Sequence, residues 1–163
     1  MLRMKLICLL SAVLLALPVM AEEQVETITD QKGCKVYNPN PQENESVKWN
    51  GACKDGFMDG EGILEWFIGD RLEERYEGSL RGGWAEGTGT FTSRQGVRYQ
   101  GGWKRSLQEG KGISHSADGS VYEGEWRAGK PHGWGVYRSP DGQTIEGEWE
   151  NGEIKSESSS RKI

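Results

Sequence analysis

Three kinds of residue in this sequence have types and spacings that could do chemistry. Glycine pairs recur at Gly60/Gly62, Gly87/Gly89, Gly110/Gly112 and Gly133/Gly135, and glycine loops can cradle phosphates with backbone N–H groups. None runs into a Lys-Ser or Lys-Thr, and none opens a full Gly-x-Gly-x-x-Gly between a strand and a helix, so no nucleotide site is expected. His115 and His132 stand apart from cysteines and from any tight acidic cluster, which argues against a metal site. Glu123, Glu125, Glu146 and Glu148 form carboxylate pairs two residues apart, but their regular recurrence reads as a solvated strand face rather than as acid–base machinery. No nucleophile, base and metal set converges anywhere. The expectation is therefore a chain without catalytic residues, metal or cofactor.

The cysteines carry more information once the segments that hold them are placed. Arg3 and Lys5 precede an apolar stretch, Leu6 to Leu17, which is short for a membrane span, and Val19-Met20-Ala21 supplies small residues where a signal peptide is cleaved. The sequence thus predicts a signal peptide over 1–21, cleaved after Ala21, and a periplasmic or secreted protein. Cleavage would remove two basic residues and no acidic one, taking the net charge from −5 to −7. Such a surface disfavours nucleic acid and anionic lipid. Cleavage would also remove Cys8, leaving Cys34 and Cys53, which in an oxidising compartment are expected to pair as a disulfide; two reduced structural thiols are the alternative.

The positions that must hold everything else repeat. Tyr76, Tyr99, Tyr122 and Ile145 are spaced by 23 residues, as are Gly78, Gly101, Gly124 and Gly147, and then Leu80, Trp103, Trp126 and Trp149. An earlier copy fits at Gly51, Cys53 and Gly56, with four extra residues before Tyr76, and the copy beginning at Ile145 stops before any Gly-x-Gly. In an extended strand Tyr122, Gly124 and Trp126 share one face while Glu123 and Glu125 point the other way. Both glycines of each pair are expected to leave troughs for rings, and Asp118-Gly119 and Asp141-Gly142 to turn hairpins. The residues to form the structural row are Tyr76, Tyr99, Trp103, Tyr122, Trp126 and Trp149. With 24 glycines and little aliphatic material, self-packing of that row must replace a layered core.

Tyr122-Glu123-Gly124-Glu125-Trp126, Gly129, Gly133-Trp134-Gly135 and Asp141-Gly142 together resemble the MORN (membrane occupation and recognition nexus) repeat. The likeness extends over 47–155, with departures at Cys53, Leu80 and Ile145. It implies an all-β, elongated, single-layer antiparallel meander of β-hairpin repeats, four to five in number. Residues 22–46 then form an N-terminal segment with a strand tied by the disulfide; its first residues, 22–30, and the tail 156–163 are expected to be flexible.

The resemblance implies a scaffolding or binding role toward a protein or peptide, without fixing the partner. The membrane role in the family's name draws little support from a negative mature charge. The other reading is a module that binds carbohydrate or a lipid surface at the cell envelope, with Trp84 or Trp134 stacking on sugar rings. The long first hairpin, Ile63 to Tyr76, carries Trp66, Phe67, Ile68 and Leu72 as candidate partner-binding residues, with capping of the aromatic row as the alternative. Two copies could also join through a sheet edge or this hairpin. Mass spectrometry of the exported protein should find Glu22 at its amino terminus and no thiol open to alkylation. An intact Met1 or two alkylated cysteines would refute that reading.

Overall fold

The computed structural model describes residues 26–157. The signal peptide expected over 1–21 lies outside them, as do residues 158–163. Thirteen strands join in one sheet: β1 (Glu26–Thr29), β2 (Lys35–Asn38), β3 (Glu45–Trp49), β4 (Ala52–Lys54), β5 (Phe57–Ile68), β6 (Arg71–Arg81), β7 (Trp84–Ser93), β8 (Arg98–Lys104), β9 (Leu107–His115), β10 (Val121–Arg127), β11 (Lys130–Arg138), β12 (Thr144–Glu150) and β13 (Glu153–Glu157). From β5 onward each strand is antiparallel to the next in chain order, which is the predicted meander. At the usual strand spacing these nine strands span roughly 40 Å.

Two turn chemistries alternate along it. Gly82-Gly83, Arg105-Ser106, Ala128-Gly129 and Asn151-Gly152 all have positive φ at both positions, as two-residue hairpins of the I′ type require. Arg105 and Ser106 hold that conformation without glycine's freedom. Each turn is fastened to the preceding hairpin, since Gly83, Ser106 and Gly129 donate their N–H groups to the carbonyls of Met58, Ala85 and Gln108 at 2.9–3.0 Å. Asp59, Glu86 and Glu109 accept from the N–H groups of Gly82, Arg105 and Ala128 at 3.0–3.1 Å. At the other kind of turn, Gly119 donates to Ser116 and Ser116 to Ser120, and Gly142 with Ser139 and Gln143 repeats the arrangement.

The register brings glycines into a line across the sheet. Gly62 pairs with Gly78, Gly78 with Gly89, Gly89 with Gly101, Gly101 with Gly112, Gly112 with Gly124, Gly124 with Gly135, and Gly135 with Gly147. On one face the rings of Tyr76, Tyr99 and Tyr122 fold over this line. A Cβ at Gly89 would stand 2.5 Å from the Tyr76 hydroxyl, and one at Gly124 would stand 2.7 Å from that of Tyr122. Each hydroxyl donates to a backbone carbonyl three residues on: Ser79, Gly102 and Glu125. Indoles fill the intervals. Trp103, Trp126 and Trp149 stand edge-on to the tyrosines at 5.1–5.4 Å, and their Nε1–H groups donate to the carbonyls of Gly89, Gly112 and Gly135.

Only the second glycine of each pair serves the rings. Gly60, Gly87, Gly110 and Gly133 have φ between +64° and +82°. Near the last three the register of their strand with a neighbour slips. A Cβ on Gly133 would meet the Glu125 side chain rather than an aromatic ring. The first glycines are therefore bulge residues that bend and twist the strand, and the expectation that they form troughs is corrected.

The N-terminal segment is more ordered than the sequence suggested. Glu26–Thr29 pairs with Lys35–Asn38 instead of trailing loosely, and the turn between them, with Gly33 donating to Asp30 and Asp30 to Cys34, copies the repeat turns. The Cys34–Cys53 disulfide, with Cα atoms 5.7 Å apart, ties β2 to β4. Strands β3 and β4 pair with the two halves of β5, while β2 meets it through one parallel bridge. At the other end Ser156 and Glu157 belong to β13 and carry the sheet past residue 155. Trp103 is buried among the tyrosines, so Trp103→Ala should cost about 3–5 kcal/mol. Glu125→Ala, on the exposed face, should change stability by less than about 0.5 kcal/mol. Denaturation midpoints check the pair, and equal midpoints would overturn this assignment of faces.

Candidate functional site: two concavities on opposite faces

The glycine line hollows the face opposite the rings. The residues flanking each glycine point there and align across strands as two rails. One runs Thr90, Gln100, Ile113, Glu123, Val136. The other contains Thr88, Lys111, Glu125 and Trp134. Between them lies a groove of about 810 Å³ floored by Gly89, Gly101, Gly112, Gly124 and Gly135. Its width is two residues along a strand, roughly 7 Å. Trp134 is 50% exposed and Ile113 38% exposed. The rails thus offer apolar, hydroxyl, amide and both kinds of charged group within one channel.

A second concavity, of about 370 Å³, lies on the ring face where the β1–β2 hairpin and the loop after it overhang the sheet. Its walls include Leu64, Trp66, Tyr76, Phe91 and Trp103, and Glu45, Glu73 and Glu74 also line it. Glu45 is held in place, its carboxylate accepting from the Trp66 indole at 3.3 Å and from Asn38 Nδ2 at 2.6 Å. Glu73 pairs with Arg71 and with Arg94. Glu74 stands at the rim of the cleft with its residue surface still exposed. The partial desolvation it meets there raises its pKa above the ordinary carboxylate value, and the charges of Glu45 and Glu73 raise it further.

The candidate partner residues of the first hairpin are divided by the strand alternation. Trp66 and Ile68 face the cleft and Trp66 packs against the core, whereas Lys48 Nζ sits 4.5 Å over the Phe67 ring and Leu72 is 39% exposed. The hairpin is not a free projection, since β3 pairs with β5 as far as Ile68 and Gly69 donates to Asn44. Trp84 is not available for stacking on a ligand in the way expected: Tyr37 covers it at 4.0 Å, and Arg105 lies 5.3 Å away over the same indole. Trp134 is open in the groove. His115 and His132 occupy separate strands, with His132 Nε2 3.4 Å from Arg127. The role of Asp59, Glu86 and Glu109 in fastening turns was missed in the sequence, although an acidic residue just before each of the first three glycine pairs was the signal.

Hairpins of 23 residues, joined by I′ turns and packed through tyrosines on a glycine line, define a single-layer β-repeat fold. The MORN repeat model matches residues 54–71, 76–98, 99–121 and 122–144, more than half of the chain. The protein belongs to the MORN-repeat family. Its match begins at Tyr76, Tyr99 and Tyr122, the positions from which the repeats were counted. A comparison with curated proteins finds no match.

The tyrosines give the site scaffold a pH signature. Burial raises the Tyr99 and Tyr122 phenols to about 12 from the ordinary 10.0, with Glu109 and Glu125 adding to the shift, and raises Tyr76 further. Below pH 10 the folded and unfolded chains both keep these protons, so the stabilisation is complete. Between about 10 and 12 the unfolded chain releases protons that the folded chain retains, and stability falls as pH rises. Denaturant midpoints should be flat on this account up to about pH 10 and then decline. Midpoints that stay level to pH 11.5, or ionisation of all five tyrosines at the ordinary value, would contradict the packing.

Proposed function

We propose that this chain is an exported, non-enzymatic scaffold that holds a protein or peptide partner in the periplasm or outside the cell. The observation that supports it best is the glycine-floored groove. Five strands contribute to one continuous channel whose rails present Thr90, Ile113 and Val136 beside Lys111, Glu123 and Glu125, a mixture suited to side chains of varied polarity along a polypeptide. The Cys34–Cys53 bond supports export, since such bonds persist in oxidising compartments. On this reading Leu72, exposed near the tip of the first hairpin, and Trp66, Phe67 and Ile68 behind it, extend the contact surface. No cofactor takes part.

A carbohydrate reading rests on Trp134 alone, whose half-open indole at the groove could stack on a sugar ring. Placing a photo-crosslinking residue at Thr90 and irradiating the native envelope separates the two. The expected result is a discrete polypeptide adduct that Ile113→Asp reduces at least tenfold while leaving the fold intact. Adducts only with glycan, abolished by Trp134→Ala, would replace the protein reading with the carbohydrate one. An adduct pattern unchanged by Ile113→Asp would remove the groove from either.

A further inference from the structure

The cleft under the N-terminal hairpin is built from parts that the repeats do not share. Its overhang comes from Asn38, Pro39 and Gln42, and its carboxylates from Glu45 on β3 and Glu74 on β6. The described side chains that line it include no lysine, arginine or histidine. Among the described residues only Glu73 of its acids has a cationic partner, supplied by Arg71 and Arg94. Glu45 receives hydrogen bonds from the neutral donors of Asn38 and Trp66, and Glu74 makes no ion pair with any described residue. Two carboxylates therefore stand unneutralised beside an indole and above an apolar floor. Trp66 and Glu74 are directly opposite in register, so the indole and the carboxylate emerge side by side on the same face.

We infer that this cleft receives an arginine side chain of a partner polypeptide, its guanidinium set between Glu45 and Glu74 against the Trp66 ring and the neighbouring apolar residue resting on Phe91 and Leu64. The volume of about 370 Å³ falls within the range of small-ligand clefts, roughly 300–1,000 Å³. Charge complementarity selects a cation, and the aromatic wall selects a planar one. A guanidinium can stack on an indole while its fork of N–H groups reaches carboxylates at its edge, whereas an ammonium is a compact point charge. The carboxyl pKa of Glu74 is raised by burial first and then by the charges of Glu45 and Glu73, and a cation brought to the site would relieve that repulsion. This assignment rests on the proposed role as a holder of polypeptides and gives that role a second, chemically specific contact on the opposite face from the groove.

The test uses the disulfide-bonded chain and two capped tripeptides, acetyl-Leu-Arg-Leu-amide and its citrulline counterpart, which keeps the shape and loses the charge. Binding is followed by the NMR signal of the Trp66 indole N–H and by calorimetry. The arginine peptide should shift that signal saturably and bind at least tenfold more tightly than the citrulline peptide. Glu74→Gln should remove about tenfold of that affinity with an unchanged denaturation midpoint, and Ile113→Asp in the groove should leave it unaltered. Equal binding of the two peptides, no saturable shift up to millimolar peptide, or full affinity in the Glu74→Gln variant would each overturn the assignment. The groove reading fails separately: it is lost if Ile113→Asp leaves capture of the native polypeptide intact, whatever the tripeptides do.

Discussion

The missing Cβ atoms along one line of the sheet are the constraint on which the rest of this structure depends. A single-layer sheet has no second layer to bury its apolar face, so its side chains must pack on its own backbone. At Gly89, Gly112 and Gly135 a methyl group would collide with the phenol lying across it. With glycine there, each ring lies low over two strands, its hydroxyl satisfied by a carbonyl three residues along. The next indole then meets it edge-on, the preferred geometry of aromatic quadrupoles, worth roughly 0.5–1.5 kcal/mol per contact beyond the area buried. The indole N–H donates to the carbonyl of the same glycine row, so a group that would be costly to bury dry finds its partner in the preceding repeat.

This packing is nearest-neighbour in character. Tyr99 touches Trp103 of its own strand and Trp126 of the next repeat, and Tyr122 touches Trp126 and Trp149. The turns add a second stitch between neighbours through Glu86 and Glu109. Stability in such an array is close to a sum over adjacent pairs, and the ends are its weak points. At this end of the array the indole position is taken by Cys53 in the first copy and by Leu80 in the second, and the compensation is covalent: the Cys34–Cys53 bond and the Tyr37–Trp84 stack clamp the β1–β2 hairpin onto that end. The other end of the described sheet is a short strand bearing Glu153, Lys155 and Glu157, charges that make an open edge a poor template for further strands.

The meander was legible in the sequence because its period is set by residue types that physics leaves few alternatives for. A 23-residue recurrence of Tyr, Gly and Trp has no helical or aliphatic-core solution, and the disulfide followed from cysteine count and expected compartment. What could not be read was anything that depends on register. Gly133 and Gly135 look alike in the sequence, but the bulge places one under a carboxylate and the other under a ring. The order of Glu26–Thr29 was hidden because its hairpin has Val36 and Asn38 where a repeat has Tyr and Gly, so the pattern fails while the turn at Gly33 persists. Of the two concavities, the groove required knowing that the glycines align across strands. The cleft required knowing that a segment outside the repeats folds back over them, which no local pattern encodes.

The same glycine line that makes the core also makes the groove, and this coupling limits where specificity can reside. A floor of glycine is chemically uniform: it offers backbone and space to any ligand and distinguishes none. The residues under the strongest structural constraint are thus those that carry the least recognition information. Discrimination must come from positions the fold leaves free, the rail residues Thr90, Gln100, Ile113, Glu123 and Val136, which occupy equivalent places and differ in chemistry. It must come equally from the overhang of residues 36–45, which belongs to no repeat. A fold so regular in its core can therefore be assigned to its family from a handful of glycines and rings, while the recognition proposed for it would be written in the irregular remainder.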